Sequence, residues 1–187
     1  MSGFEMSVSS NIKQVQKQLQ NLGKDAIKAA SVRALNKTGT SLKAEAARRI
    51  KDETGLPVSH IKQKLAVQKA SRNRLVWSLS GMRDGTNIVE WVSKGSKRVG
   101  AFRKKPGVRS NAWKKAKTYP GTFIGRGKGS GKLLVFKRSG KGISVVHGPS
   151  VRRAFYKELQ GLQPFALKRF QKVFDQEINY EIKKAFR

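Results

Sequence analysis

The sequence has no cysteine, two histidines and only 11 acidic residues among its 187 positions. Without thiols it has neither a disulfide framework nor a thiolate metal site. No apolar run is long enough to span a bilayer, and residues 1–10 lack the basic start and apolar run of a signal peptide. We therefore expect a soluble protein made inside a cell, with no membrane partner.

Acidic residues are missing altogether from a long continuous part of the chain. Between Trp91 and Lys157 there is no aspartate or glutamate, whereas there are nineteen lysines and arginines. The formal net charge of the whole chain is +30. A folded surface with so little internal neutralisation repels itself, so we expect its partner to be a polyanion or an acidic protein face.

Apolar spacing predicts two helices near the N-terminus. The first is capped by Ser9 or Ser10. Its apolar residues recur at helical spacing: Ile12, Val15, Leu19 and Leu22. The second runs from residue 25 to residue 54, is weakened at Gly39, and is ended by Gly55 and Pro57. Its predicted buried stripe consists of Ile27, Ala30, Ala34, Leu35, Leu42, Ala46 and Ile50.

The pattern then changes from helical to strand-like. A short helix is predicted over residues 59–65, with Ser59 as its cap. Residues 75–80 alternate in character, which predicts a strand. Asp84-Gly85 predicts a turn, and residues 88–92 are predicted to return as the partner strand. Residues 93–120 have little periodicity and many glycines and basic residues, and this predicts a long functional loop.

Further strands are predicted over residues 122–124, 132–137 and 143–146, the last two joined by a glycine-bearing hairpin loop. Residues 133–136 lack alternation, so we expect that strand to be covered on both faces. A helical turn is predicted over residues 149–159, and Pro164 is expected in the first turn of a separate last helix. That helix has the apolar stripe Leu167, Phe170, Phe174, Ile178, Ile182 and Phe186, with Asp175, Glu177 and Glu181 expected on its other faces.

The predicted fold class is α+β: an N-terminal helical arm, a small antiparallel β-sheet with a long basic insertion, and a C-terminal amphipathic helix packed on the sheet. Residues 1–66 form the helical region. Residues 67–187 form the α+β region, with the basic loop at about 93–132 and the C-terminal helix at about 164–186. Together they are expected to make one domain with an appended arm.

Catalysis is not expected. The histidines His60 and His147 stand alone. Of the carboxylates Asp52, Glu53, Asp84 and Glu90, which could in principle hold a metal, the first two lie at a helix end and Asp84 in a turn. The glycine-rich residues 125–132 fail the phosphate-loop pattern, because Leu133 after Lys132 begins a strand instead of a helix. We predict no enzyme activity, no metal and no cofactor.

The basic insertion is the candidate contact surface. It has no sequence-reading motif, so contact with nucleic acid would be to the backbone and salt-dependent. Of the aromatics within it, Trp113 and Phe123 are expected to anchor the loop to the core, whereas stacking on bases would need exposed rings. The predicted contact residues for DNA or an acidic partner are Lys94, Lys97, Arg98, Arg103, Lys104, Lys105, Arg109, Lys114, Lys115, Lys117, Arg126, Lys128 and Lys132.

The order of parts resembles a known family. A helix containing Ala34-Leu35-Asn36-Lys37-Thr38 leads to Thr54-Gly55-Leu56-Pro57, a very basic middle, a Pro149-Ser150-Val151 turn and a terminal amphipathic helix. Over nearly its whole length the chain resembles the minor tail protein Z family of long-tailed bacteriophages.

The resemblance implies a structural virion protein that completes the head-proximal end of the tail or the neck and is found in the host cytoplasm during assembly. Its implied partners are further copies of itself in a ring, most simply a hexamer, the tail terminator, tail tube or connector proteins, and the end of the packaged DNA. The charge alone leaves an alternative open, a free nucleic-acid-binding protein without sequence preference. A metal-dependent nuclease using the four carboxylates is the third reading.

Overall fold

The computed structural model describes residues 4–7, 23–82, 85–102 and 107–185. Within these ranges the chain forms two compact units, each assembled from separated parts of the sequence. The first draws on Met1–Ala47, Leu65–Gly81 and Phe155–Arg187, and the second on Arg48–Lys64 and Met82–Ala154. Long helices and small antiparallel sheets confirm the predicted α+β class. The predicted helix over residues 12–22 lies outside the described residues, and the predicted division at residue 66 stays a prediction.

The longest N-terminal element is helix α1, Lys24–Thr54. Every residue of its predicted stripe is buried, from Ile27 to Ile50. The helix ends at Gly55, whose φ of 72° is left-handed and whose amide donates to the carbonyl of Lys51 at 2.7 Å. Glycine adopts this conformation at little cost, so it terminates the helix as predicted.

Gly39 lies in the middle of α1 and does not break it. A Cβ atom at this position would come within 3.0 Å of three atoms of the Trp77 indole, so the glycine is where a tryptophan from the sheet packs onto the helix. Trp77 is 1% exposed. The weakness that Gly39 brings to the helix is therefore compensated by close packing.

The sheet of the first unit has the order β1-β3-β2, all antiparallel, with β1 at Phe4–Ser7, β2 at Leu65–Gln68 and β3 at Val76–Gly81. The predicted strand over residues 75–80 is confirmed as β3. Its predicted partner over residues 88–92 is wrong, since β3 pairs with β1 and β2 instead. The short helix is α2, Val58–Gln63; Pro57 is its N-cap, so the predicted cap at Ser59 is also wrong.

The C-terminal helix is one continuous element, α3, Val151–Ala185. The prediction of two helices separated at Pro164 is therefore wrong. Proline removes the amide that would donate to the carbonyl of Gln160, and both residues lie at exposed positions of the helix. Leu167 is 63% exposed, contrary to prediction, and Ala166 occupies the buried position beside it. Phe170, Phe174 and Ile178 are buried as predicted, Ile182 is half-buried, and Phe186 lies outside the described residues.

Two glutamates of α3 are buried, where the sequence predicted a solvent face. Glu177 is 6% exposed and Glu181 8% exposed. Arg33 of α1 donates from Nε to Oε2 of Glu177 at 2.6 Å and from Nη2 to Oε1 of Glu181. Lys37 donates to Oε1 of Glu177 at 2.6 Å. Buried carboxylates are tolerated when they are paired and hydrogen-bonded, and these four residues tie α3 to α1.

The second unit has its core around the segment that was predicted to be a strand. Ile88–Trp91 is a turn of 3₁₀ helix, not a strand. Its N-cap, Asn87, accepts from the amide of Val89 at 2.9 Å and from the amide of Val135 at 2.8 Å, and it donates to the carbonyl of Val135 at 3.2 Å. The asparagine side chain thus satisfies the backbone groups that a partner strand would have used. The surrounding core cluster consists of Ile88, Val89, Val92, Val108, Ile124 and Val135.

Five strands complete the second unit. β4, Val108–Ser110, pairs with β5, Lys117–Tyr119, so the predicted long loop over residues 93–120 contains a small hairpin. The other sheet has the order β6-β7-β8, with β6 at Thr122–Arg126, β7 at Leu133–Ser139 and β8 at Gly142–Val145. These confirm the three predicted strands. Along residues 133–136 Val135 alone is buried, so this stretch is not covered on both faces.

Candidate functional site

The predicted basic contact residues fall into three places in the second unit. Lys94, Lys97 and Arg98 lie on the turns that follow Trp91. Arg109, Lys114, Lys115 and Lys117 lie on the β4–β5 hairpin and its turn. Arg126 ends β6, and Lys128 and Lys132 lie in the connection to β7. Arg103, Lys104 and Lys105 lie outside the described residues. The ten described residues will be called the basic surface; all are exposed except Lys97, which is half-buried.

The basic surface is almost without internal neutralisation. Lys97 Nζ lies 3.9 Å from a carboxylate oxygen of Glu90, the one such pair for these ten residues within the described part of the chain. Arg126 donates to the carbonyl of Gly131 at 3.0 Å, which holds the β6–β7 tip closed. The remaining cations have no carboxylate partner among the described residues, and Lys117 Nζ lies 5.7 Å from the centroid of the Tyr119 ring. A polyanion is the ligand that this charge favours.

Hydrogen bonds anchor the β4–β5 hairpin to the core of the unit. The Thr122 hydroxyl accepts from the amide of Val108 at 2.9 Å and donates to the carbonyl of Tyr119 at 2.6 Å. The amide of Asn111 donates to the carbonyl of Trp91 at 3.2 Å, and the Trp91 indole donates to the carbonyl of Thr54 at 2.7 Å. This segment is a braced hairpin, in contrast to the loop that we expected.

The turn of that hairpin displays a tryptophan. Trp113 and Lys114 have φ values of 58° and 57°, a left-handed conformation that costs a non-glycine residue about 1–3 kcal/mol. Trp113 is 49% exposed, so the prediction that it anchors the loop is wrong. Phe123 is 9% exposed and confirms its predicted anchoring role. The turn therefore exposes an aromatic ring beside Lys114 and Lys115.

The glycine-rich tip between β6 and β7 closes on itself. The amide of Gly127 donates to the carbonyl of Lys132 at 2.9 Å, and the amide of Gly131 donates to the carbonyl of Gly127 at 3.2 Å. Leu133 then begins strand β7. A phosphate loop leads into a helix whose N-terminal amides face the phosphates, so this context confirms that the tip is not one.

A model of the family described as prophage minor tail protein Z (GPZ) matches residues 11–187. The chain belongs to this family. It is accordingly a structural protein of the phage tail and a component of the virion. No curated protein and no solved structure matches the chain.

Other side chains of this minor tail protein that suggested chemistry lie apart. His60 lies in α2, with Nε2 buried and without a hydrogen-bond partner, and His147 is exposed opposite Asn87. Asp84 lies outside the described residues. Elsewhere in the described ranges no group of three or more histidine and carboxylate side chains is arranged to hold a metal ion. None of the described helices has an apolar stretch that would cross a membrane.

Proposed function

We propose that this minor tail protein completes the head-proximal end of the tail, and that its basic surface contacts the backbone of the DNA that reaches that end. The observation that carries the proposal is the group of exposed, un-neutralised cations on braced segments of the second unit. A backbone contact needs such cations and no base-reading element.

The exposed ring of Trp113 supports contact with DNA. Aromatic side chains that project among cations stack on bases at frayed or single-stranded ends, at about 1–3 kcal/mol per base. The hairpin that carries Trp113 is hydrogen-bonded to the core of the unit, so its backbone is ordered before binding and less conformational entropy is lost there. The hairpin thus provides cations for the phosphates and an aromatic ring for the bases, and neither contact depends on the DNA sequence.

A ring of copies is part of the proposal. A tail is built around an axis, and several copies related by rotation would place several basic surfaces around one DNA end. Native mass spectrometry of the protein taken from tails should then give a closed oligomer, most simply a hexamer. A monomer bound singly to the tail would contradict this part.

The DNA contact is tested by charge reversal with a matched control. Changing Lys114, Lys115 and Lys117 to Glu should reduce the dependence of log affinity on log salt by about 3, because each lost phosphate contact removes about 0.9. The control reverses three exposed cations of α3, Lys168, Arg169 and Lys172. Equal losses in both triple variants would mean that net charge alone drives binding, and would refute a localised surface.

The position in the tail is tested separately. Electron microscopy of particles carrying a label on this protein should place the label where the tail meets the head. Label along the tail shaft or at the distal tip would refute the proposed position. Absence of label from particles would instead favour a free nucleic-acid-binding protein.

A further inference from the structure

Strand β8 is an open edge of the second unit. It is the outermost strand of the β6-β7-β8 sheet, and no other strand in the described ranges pairs with it on its far side. All four of its residues are exposed, including Ile143 at 63% and Val145 at 38%. Exposed edges with β-branched residues are the sites at which an additional strand pairs.

The hydrogen-bond pattern shows which backbone groups of β8 are free. Ser139 and Gly142 are paired across the two-residue turn Gly140-Lys141, and hydrogen-bonded pairs alternate from there along an antiparallel ladder. The amide of Val146 donates to the carbonyl of Val135 at 3.0 Å, which agrees with this alternation.

Ile143 and Val145 are therefore at the non-bonded positions, and their N–H and C=O groups point away from β7. At the next residue the carbonyl of Val146, which points toward β7, accepts from the amide of Ile88 at 3.2 Å. The outward backbone groups of β8 are thus those of Ile143 and Val145.

The side chains at these positions extend an apolar sheet face. Val145 lies opposite Phe136, and Phe136 lies opposite Phe123 with 5.9 Å between ring centroids. Arg138 lies opposite Ile143, and its guanidinium carbon is 5.4 Å from the Phe123 centroid. A strand added to β8 would place its own alternate side chains against this face.

The charge beside the edge selects the occupant. Lys137, Arg138 and Lys141 are exposed next to β8, and no carboxylate occurs between Trp91 and Lys157. A second copy of β8 would bring no carboxylate to these cations and would add its own positive charge beside the same edge, whereas an acidic segment would neutralise them.

We propose that the β8 edge receives an extended segment of an acidic partner protein, with alternating carboxylate and β-branched side chains. Backbone pairing supplies one part of the recognition and charge complementarity the other. The partner surface is separate from the basic surface, so the inference does not depend on the DNA contact.

The test uses the full chain and a synthetic peptide that alternates glutamate and valine. An NMR titration should shift the amide resonances of Ile143 and Val145, which point toward the added strand. Ile143→Pro removes an outward donor while leaving the bonds to β7, and should weaken binding about tenfold. Its DNA affinity should be unchanged, which separates this inference from the proposed function.

Two controls keep the test decisive if Ile143→Pro does not fold. Ile143→Ser should weaken peptide binding, whereas Leu167→Ser, at a position of α3 that is also 63% exposed, should not. A peptide N-methylated at alternate residues keeps its charges but cannot pair, and should not bind.

Equal binding of the methylated peptide would show that charge alone attracts the ligand, and would overturn the proposal. Self-association of the chain that is abolished by Ile143→Pro would also overturn it, because a second copy would then be the occupant.

Discussion

Replacing Gly39 by Ala should destabilise the protein although alanine is the better helix former. Removing a glycine from a helix interior contributes about 1 kcal/mol of stability. At this position, however, the new Cβ would come within 3.0 Å of three atoms of the buried Trp77 indole. Overpacking of this kind costs about 1–3 kcal/mol, and the ring of a tryptophan that is 1% exposed has no room to move. Because three indole atoms overlap the new Cβ, we take the upper end of this range, and the expected net loss is about 2 kcal/mol, the steric cost less the helix gain.

The same substitution should change sign when the ring is removed. In a Trp77→Leu background the overlapping atoms are gone, so Gly39→Ala should stabilise by up to about 1 kcal/mol relative to Trp77→Leu alone. The difference between the two backgrounds is a coupling energy of about 3 kcal/mol. Urea unfolding followed by far-UV circular dichroism of the four proteins gives all the terms.

Gly161→Ala is the matched control, since Gly161 lies at an exposed position inside α3. It should stabilise in either background. The packing explanation would be refuted if Gly39→Ala and Gly161→Ala raised the stability of the unmodified chain equally, or if the effect of Gly39→Ala were the same with and without Trp77.

Three further predictions concern other parts of the chain. Burial would raise the pKa of Glu177, but hydrogen bonds from Lys37 and Arg33 outweigh it and lower the pKa below the ordinary value of 4.5. The resulting stability is present at neutral pH and is lost as the pH falls below 4.5. Glu177→Gln should lower the free energy of unfolding at neutral pH by about 1–3 kcal/mol and remove this acid dependence. If the stability of the variant depended on pH in the same way as that of the unmodified protein, the pairing would be contradicted. Asn87→Leu should cost about 2–4 kcal/mol by urea unfolding, because the buried amides of Val89 and Val135 lose their acceptor, while the carbonyl of Val135 keeps the amide of Val146. A loss below about 1 kcal/mol would mean that water replaces the asparagine. Acrylamide should quench the fluorescence of Trp113, whereas Trp77 and Trp91, which are 1% and 8% exposed, should stay protected. Bound DNA should abolish the quenching of Trp113. Unchanged quenching would mean that the DNA binds elsewhere.

Helix α1 was predictable because its information is local. Apolar and small residues at helical spacing, followed by Gly55 and Pro57, specify both the buried face and the end. The β6-β7-β8 sheet was predictable for the same reason, since the glycine turn lies between two apolar runs. In both, the residues that decide the structure lie within a few positions of one another.

The buried glutamates were missed because their partners are remote. Glu177 lies 144 positions from Arg33, and a carboxylate on an amphipathic helix is ordinarily solvated. Residues 88–92 were assigned to a strand because they follow the turn signal Asp84-Gly85, but Asn87 bonds to the backbone of β7 and caps a 3₁₀ turn there. Neither contact leaves a signal in a single sequence.

The residues of the candidate surface were predictable, because they were chosen by their charge, which the sequence gives directly. The division of this surface among three places follows from the turns and hairpins that carry it. The exposure of Trp113 accompanies a left-handed backbone at Trp113 and Lys114, a conformation that favours glycine, so these two residues do not indicate it in the sequence.

The paired glutamates of α3 have a consequence for how the protein is purified and how it assembles. Their side chains are 7% and 9% exposed and are paired with Arg33 and Lys37, so this part of the charge is balanced within the fold. The surplus positive charge is at the surface, where ions screen both its attraction to a polyanion and its self-repulsion. Raising the salt concentration should therefore release the protein from its ligand and make it harder to unfold in the same step. Purification in concentrated salt would then remove bound nucleic acid without unfolding the protein. Dilution of the salt would allow the protein to bind its ligand again.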